Sequence, residues 1–403
     1  MYNCIICRYH EIAIKGDNRI MFESKLMDNM RSHLLDIPGV SVERIRGRIF
    51  VRRHQGSASF NKEEIEKIET VLSKTFGLES FSPALECESK EEAIFNAVEM
   101  TAKSEFEKAL EGKKAVTFRI RARRSDKSFP LRSKQIEIDS AGIIEKLFGR
   151  EKIDVNLTDA EITVGIEVRE KSSFVFYRSV GGPGGLPVGS NAPVLALLSG
   201  GIDSPVACRM AMKRGCQVHF LTFHSHPYTS MESVEKVKRI SKVLNGLQPK
   251  GKLFICNLSP LQKMIRDICI PKYRTVLYRR MMMRIAEKVC KKQELFAIVT
   301  GESVGQVASQ TVVNLATINS STEMLVLRPL IGMDKVESIE AAQRLGTYQI
   351  SIEPAPDSCT VFAPPAPAVR ARLDQVEMEE RRLGDWQSVL EDIFAGIETE
   401  EGL

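Results

Sequence analysis

The stretch Ala192 to Gly215, APVLALLSGGIDSPVACRMAMKRG, constrains the chain more than any other. Val194 to Leu198 form a short apolar run that suits a strand buried on both faces. Ser199-Gly200-Gly201 then let the backbone turn and approach a ligand closely. Ser204 is placed to cap a following helix, with Pro205 in its first turn and Gly215 at its far end. A strand, glycine turn and helix in this order aim backbone N–H groups and a positive helix end at one point, which suits a phosphate. Asp203 is the odd member, since a carboxylate beside a phosphate repels it unless a cation lies between. The stretch therefore predicts a metal-bound polyphosphate, with Mg²⁺ the expected ion and Asp203 near it.

No lysine follows the glycines as in GxxxxGK[ST], and the pattern is not GxGxxG. Ser-Gly-Gly-x-Asp-Ser resembles the PP-loop of the ATP pyrophosphatase superfamily, whose members cleave ATP between the α and β phosphates. The plain alternative is a glycine turn in an ordinary βα unit.

At 403 residues the chain has room for two to four domains. A hydrophobic fraction of 43% and a charged fraction of 27% are those of a globular protein in water. No apolar run reaches membrane-spanning length, and the N-terminus lacks a basic leader with an apolar core, so a cytoplasmic protein with no membrane contact is expected. The nine cysteines are scattered. Cys4 and Cys7, the one C-x-x-C pair, lie in an expected strand, where a spacing of three sends them to opposite faces and argues against a shared metal. The net charge of +5 is modest but uneven, with basic clusters in the front half and an acidic stretch from Val376 onward.

Taken in order, Asn3 to Tyr9 read as a strand, Gly16 to Leu35 as an amphipathic helix, and Val40 to Ile45 with Arg48 to Arg53 as a hairpin about Gly47. Lys62 to Thr75 read as a helix, and the whole as a small α+β unit over residues 1–76 in which Arg8, Lys15 and Arg19 are candidate nucleic-acid contacts. A second α+β unit, 77–180, has a helix near Lys90 to Leu110, a strand Ala115 to Ala122, and closing strands Glu161 to Val168 and Ser173 to Val180. Seven basic residues stand against one acidic between Arg119 and Lys134. That bias predicts contact with RNA or DNA through Arg119, Arg121, Arg123, Arg124, Lys127 and Arg132, with an exposed Phe129 to stack on a base.

Residues 181–190, GGPGGLPVGS, read as a linker. After it strands and helices alternate, which predicts a doubly wound, mostly parallel α/β sheet over 181–365 with ligands at the strand C-terminal ends. The strand at Leu295 to Val299 empties into Thr300 to Gln306, a second glycine-bearing loop on the same sheet edge. Two such loops suffice to enclose one nucleotide. Arg279, Arg280 and Arg284 lie on a Met-rich helix, a core helix with a charged edge. Cys208, Cys216, Cys256, Cys269 and Cys290 read as core residues, whereas Cys359 stands in the polar, proline-rich EPAPDSCT, which suits a reactive thiol. Residues 366–403 read as an acidic helical tail.

Together RYHEIAIKGDNR, RARRSDKSFPLRS, LLSGGIDSPVA, FHSHPYTS, RRMMMR, TGESVGQVASQT, VLRPLIGMDK and DSCTVF resemble the ThiI family of tRNA 4-thiouridine synthetases, up to about Pro365. The resemblance implies an N-terminal ferredoxin-like domain, a tRNA-binding THUMP domain and a PP-loop domain. It places ATP contacts on Leu197, Leu198, Ser199, Gly200, Gly201, Ser204, Thr222, Phe223, Arg279, Gly301 and Gln310, and catalytic roles on Asp203 and Cys359. The implied reaction adenylates the 4-oxygen of uridine 8 in tRNA, after which persulfide sulfur on Cys359 displaces AMP. The chain beyond Cys359 is too short for the rhodanese domain of many members and contains no cysteine, so a cysteine desulfurase is expected to load Cys359 directly. The family's second role, sulfur supply for the thiazole of thiamine, resides in some members in that rhodanese part. A homodimer bridged by tRNA is what the family suggests. No cysteine trio stands near the loop to hold an iron–sulfur cluster. The competing readings are a PP-loop ligase or thiolase acting at another tRNA position, for which Cys359→Ser separates the ammonia-using enzymes, and a tRNA-binding module with a vestigial ATP site.

Overall fold

A computed structural model describes residues 2–45, 47–53, 58–355 and 361–402. Two compact units divide at Gly185/Leu186. Among the described residues, no helix is long and apolar enough to cross a membrane.

The first unit follows the alternation of its sequence: β1 (Cys4–Arg8), α1 (Arg19–His33), β2 (Val40–Ile45), β3 (Arg48–Arg53), α2 (Lys62–Leu72), β4 (Ser80–Glu88), α3 (Glu91–Leu110), β5 (Val116–Arg124), α4 (Ser133–Phe148), β6 (Ile153–Val155), β7 (Ile162–Val168), β8 (Ser172–Phe176) and β9 (Val180–Gly181). β2 and β3 form the expected antiparallel hairpin, and Gly47 between them takes φ +80°. Because β1 pairs with both β3 and β4, the two small α+β segments share one nine-stranded sheet, ordered β2-β3-β1-β4-β8-β7-β5-β6 with β9 on β4. One face carries a core from β1, α1 and α2 and another from β5, α3 and α4. The opposite face carries Cys4, Ile6, Phe50 and Phe174. Cys7 belongs to the first of these cores, so Cys4 and Cys7 do point to opposite sides.

The sequence reading misses one helix of this unit and misplaces one side chain. Helix α4 is not read from the sequence, where its basic start, internal Gly142 and a serine in the buried stripe Ile136–Ser140–Ile144 mask its periodicity. Phe129 is 7% exposed and packs in the core with Ile136 and Tyr177, so it offers no stacking surface for a base.

The second unit comprises β10 (Leu186–Leu197), α5 (Asp203–Lys213), β11 (Arg214–His224), α6 (Glu232–Asn245), β12 (Leu253–Asn257), α7 (Ser259–Ile268), α8 (Arg274–Gln293), β13 (Ala297–Val299), α9 (Val312–Asn319), β14 (Leu325–Leu327), α10 (Lys335–Leu345), α11 (Tyr348–Ser351), α12 (Leu373–Arg382), α13 (Trp386–Ala395) and β15 (Glu398–Glu400). Its six strands run β14-β13-β10-β11-β12-β15, parallel throughout except for β15 on β12. The chain builds outward from β10 through β11 to β12, then crosses back to β13. The order therefore reverses between β10 and β13, the place where parallel sheets bind ligands. Strand β10 begins at Leu186, inside the stretch read as a linker. Pro187, Gly189 (φ +81°) and Pro193 fall where its pairing with β11 shifts register, so the strand absorbs breakers that a regular ladder would reject.

The acidic tail is helical as read, and it packs into the second unit. Val376, Leu383, Leu390 and Ile393 join the core of α7 and α8, and β15 completes the sheet. Arg280 is 2% exposed and pairs with Glu380 through Nε–Oε1 at 2.7 Å and Nη2–Oε2 at 3.1 Å. Arg284 reaches the same carboxylate at 2.7 Å. Burial would raise the Glu380 pKa, but hydrogen bonds from Arg284 and Arg280 outweigh it and hold the carboxyl below its usual range. The stability this supplies is present above the usual carboxylate range and is lost as pH falls through the depressed value. Glu380→Ala would strand a buried guanidinium and is predicted to cost about 3–5 kcal/mol. Urea denaturation at neutral pH checks this, and an unchanged midpoint would contradict a structural role for α12.

Candidate functional site

Two loops, the end of β11 and one side of α8 meet at the crossover. Leu195 and Ala196 of β10 pair with Ile298 and Val299 of β13, so the loops that leave these strands emerge side by side. Between them lies a cavity of about 590 Å³. Leu197, Leu198, Ser199, Gly200, Gly201, Asp203 and Ser204 line it from the first loop, Thr222 and Phe223 from the end of β11, Arg279 from α8, and Gly301 and Gln310 from the second loop. All the sequence-derived nucleotide contacts are thus brought to one cavity.

Ser204 does not cap α5. The helix starts at Asp203 after Ile202, with no side-chain cap hydrogen bond. Ser204 Oγ instead accepts from the Ser199 N–H at 3.0 Å and lies 3.2 Å from Ser199 Oγ, closing the loop on itself. A helix start without a side-chain cap leaves first-turn N–H groups for another acceptor, the arrangement that favours an anion. The second loop approaches this turn so closely that a Cβ on Gly301 would fall 2.7 Å from the Ser204 nitrogen and 2.8 Å from the Asp203 carbonyl carbon.

Glu302, absent from the sequence-derived set, organises the far wall. It is 2% exposed and takes Arg279 Nη2 at 2.9 Å, Arg328 Nε at 2.7 Å and the Thr300 hydroxyl at 2.9 Å. Burial pushes its pKa up, but Arg279 and Arg328 override this and keep it ionised. Arg279 also donates to Ser309 Oγ at 3.1 Å, which fixes its guanidinium beside the cavity. Gln310 Oε1 is buried with no hydrogen-bond partner, an acceptor suited to an amino donor such as that of adenine.

Asp203 accepts from Lys335 Nζ at 2.9 and 3.0 Å and from Gln306 Nε2 at 2.9 Å. Lys335 opens α10 and lies in the segment VLRPLIGMDK, but sequence spacing of more than a hundred residues gives no sign of the pairing. Among the described residues no group of three His, Cys, Asp or Glu side chains is arranged to hold a metal. Cys359 lies outside the described residues; in sequence it stands four residues beyond Ala355, which lines the cavity. Burial raises the thiols of Cys256, Cys269 and Cys290 to about 12, and Cys208 and Cys216 are also raised, so all five core cysteines are poor nucleophiles.

In the first unit, Arg119, Arg121 and Arg123 project from the β5 face opposite its core, where Gly165 and Glu167 of β7 stand beside them and Phe176 and Phe174 of β8 lie beyond. Arg8 joins them, its guanidinium 4.7 Å from the Phe176 ring centroid and its Nη1 2.9 Å from Ser82 Oγ. Lys127 and Arg132 are exposed. Arg124 points the other way and donates to the carbonyls of Phe129 and Leu131 at 2.8 Å, a structural duty. Lys15 pairs with Glu11, and Arg19 with Glu23 and Tyr9, on the α1 side.

Three segments match known families: residues 4–82 the ThiI ferredoxin-like domain, 88–177 the THUMP domain, and 189–384 the family described as thiamine biosynthesis protein (ThiI). A probable tRNA sulfurtransferase of Thermoanaerobacter pseudethanolicus is 40% identical over 392 residues, covering 97% of this chain and 98% of its own. One from Bacillus pumilus is 37% identical over 398 residues, covering 99% of this chain and 95% of its own. Among solved structures, a 4-thiouridine synthetase in complex with RNA and bound ATP superposes with a TM-score of 0.87 at 35% identity, covering 100% of both chains.

Gly301→Ala forces backbone against backbone at the loop contact and is predicted to weaken adenine-nucleotide binding at least about tenfold, at a stability cost of about 1–3 kcal/mol. Calorimetric titration with ATP checks it, and wild-type affinity in the variant would show that the two loops need not meet.

Proposed function

The chain belongs to the ThiI family, and we propose that it is an ATP-dependent tRNA sulfurtransferase that makes 4-thiouridine at uridine 8. The observation that carries this reading is the convergence of Ser199 to Ser204, Arg279, Gly301 and Gln310 on one cavity at the β10/β13 crossover. Its volume suits a nucleotide, and the orphaned Gln310 acceptor supports an adenine end opposite the glycine loop.

In the proposed reaction the uracil 4-oxygen attacks the α-phosphorus of ATP. The bond from that phosphorus to the bridging oxygen breaks, pyrophosphate leaves, and the N3 proton of the base passes to solvent. Backbone N–H groups of the glycine loop and the Arg279 guanidinium, held by Glu302 and Ser309, stabilise charge on the departing phosphates. The terminal sulfur of a Cys359 persulfide then attacks C4, and AMP leaves with the former 4-oxygen. Reduction of the Cys359–sulfur–base disulfide by an added thiol supplies two electrons and releases 4-thiouridine.

Asp203 is the carboxylate of the glycine loop itself, so the donor set fits a Mg²⁺ ion that arrives with its own phosphate ligands rather than a resident metal. Bound there, the ion would neutralise pyrophosphate charge, with Asp203 as its protein ligand and Lys335 released to the phosphates. A cysteine desulfurase is the proposed source of the persulfide, and a cytosolic homodimer with one tRNA bridging two subunits is the proposed working form. The Arg8/Arg119/Arg121/Arg123 face, on which Arg121 and Arg123 are exposed, supports tRNA backbone contact.

Two experiments test the reading. Unmodified tRNA, ATP, Mg²⁺, cysteine and a desulfurase are incubated with the protein, and nucleosides are measured by mass spectrometry. Wild type should give 4-thiouridine, and Cys359→Ser and Asp203→Asn should each lose at least about 100-fold of the rate. Product at the wild-type rate from Cys359→Ser would remove that cysteine from the mechanism. Separately, Arg121→Ala/Arg123→Ala should weaken tRNA binding and reduce the slope of log affinity against log salt by about one to two. An unchanged slope would contradict phosphate contact on that face.

A further inference from the structure

Lys236 lies on α6, is 8% exposed, and lines the same cavity without belonging to any of its loops. Its stem crosses Gly200 so closely that a Cβ there would stand 3.0 Å from Lys236 Cδ. Its ammonium donates to the carbonyl of Ser351 at 2.8 Å and to that of Glu353 at 2.7 Å. Ser351 adds a second tie, its hydroxyl 3.3 Å from the Gly201 carbonyl oxygen. One turn along α6, Arg239 grips the Glu353 carboxylate at 2.6 and 2.7 Å, an exposed pair that adds little energy but sits on the same strap.

The glycine loop and the strap 351–353 are thus fastened to each other through a buried lysine. Burying an ammonium on backbone carbonyls is expensive, and a core position would be served as well by an apolar side chain. The strap runs on through Pro354 and Ala355, both in the cavity wall, and in sequence it leads to Cys359. We infer that Lys236 is a positioning residue for sulfur delivery: it registers the strap 351–353, which enters the cavity wall at Pro354 and Ala355 and in sequence leads to Cys359, against the glycine loop. This inference rests on the reading of the cavity as the ATP site of a sulfurtransferase. Lys236 need not touch ATP or the base to act, and its effect falls on the second half-reaction rather than the first.

The test uses Lys236→Met, which keeps the length of the stem and removes the ammonium. Pyrophosphate released with tRNA and 4-thiouridine formed are measured on the same samples. The thiouridine made per pyrophosphate should fall by about tenfold or more, the scale expected when a reacting group is displaced by about an ångström. A parallel loss of both products, or an unchanged ratio, would overturn the inference. Amide hydrogen exchange at 351–353 and 355 is read independently of activity and should be faster in the variant; unchanged exchange would show that the lysine does not hold the strap. If the wild-type protein formed no thiouridine at all, the activity reading would fall, and sulfur positioning with it, while the exchange result would still decide whether the tie exists.

Discussion

Parallel pairing of β10 with β13 is the constraint from which the rest follows. Two strands far apart in sequence lie side by side, Leu195 against Ile298 and Ala196 against Val299, and each ends in a glycine-bearing loop. Gly301 lets those loops come to backbone contact, and a single Cβ would part them. Buried Glu302 then converts the contact into a charged wall by holding Arg279 toward the cavity and Arg328 behind it. A carboxylate this buried is tolerable because two guanidiniums and a hydroxyl meet it, and those groups must stay where they are for as long as it does.

Much of this was legible in the sequence because it is local. The apolar run Val194 to Leu198, the glycines after it and the amphipathic helix beyond declare a βα unit within one short stretch, and the alternation that follows declares a parallel sheet. What was not legible is long-range. Lys335 and Asp203 are joined only when α10 folds back to the start of α5. Lys236 meets the strap only through the packing of α11 on α6. Neither pair leaves a spacing signature, so neither side chain could be singled out.

Other misreadings share one cause, the weight given to composition where burial decides. Glycine and proline in 181–190 suggested a linker, yet β10 accepts them where its ladder to β11 is irregular. The acidic residues beyond Val376 read as a helical tail set apart from the domain, yet Glu380 is the buried counter-ion that Arg280 and Arg284 require. Basic neighbours suggested that Phe129 was exposed, whereas Arg124 pulls its carbonyl inward and the ring packs in the core. In each case the deciding partner lies in another element, which composition along one segment does not report.

The central claim is that the cavity activates the 4-oxygen of the base as a leaving group, and the fate of that oxygen tests it most directly. A tRNA carrying ¹⁸O at position 4 of uridine 8 would be turned over with ATP and a persulfide donor, and the AMP and pyrophosphate analysed by mass spectrometry. The account predicts one ¹⁸O in each AMP formed and none in pyrophosphate, since the bond from that oxygen to the α-phosphorus is made before sulfur attacks. Thiouridine formed with unlabelled AMP would contradict it, because ATP cleavage would then have occurred without adenylation of the base.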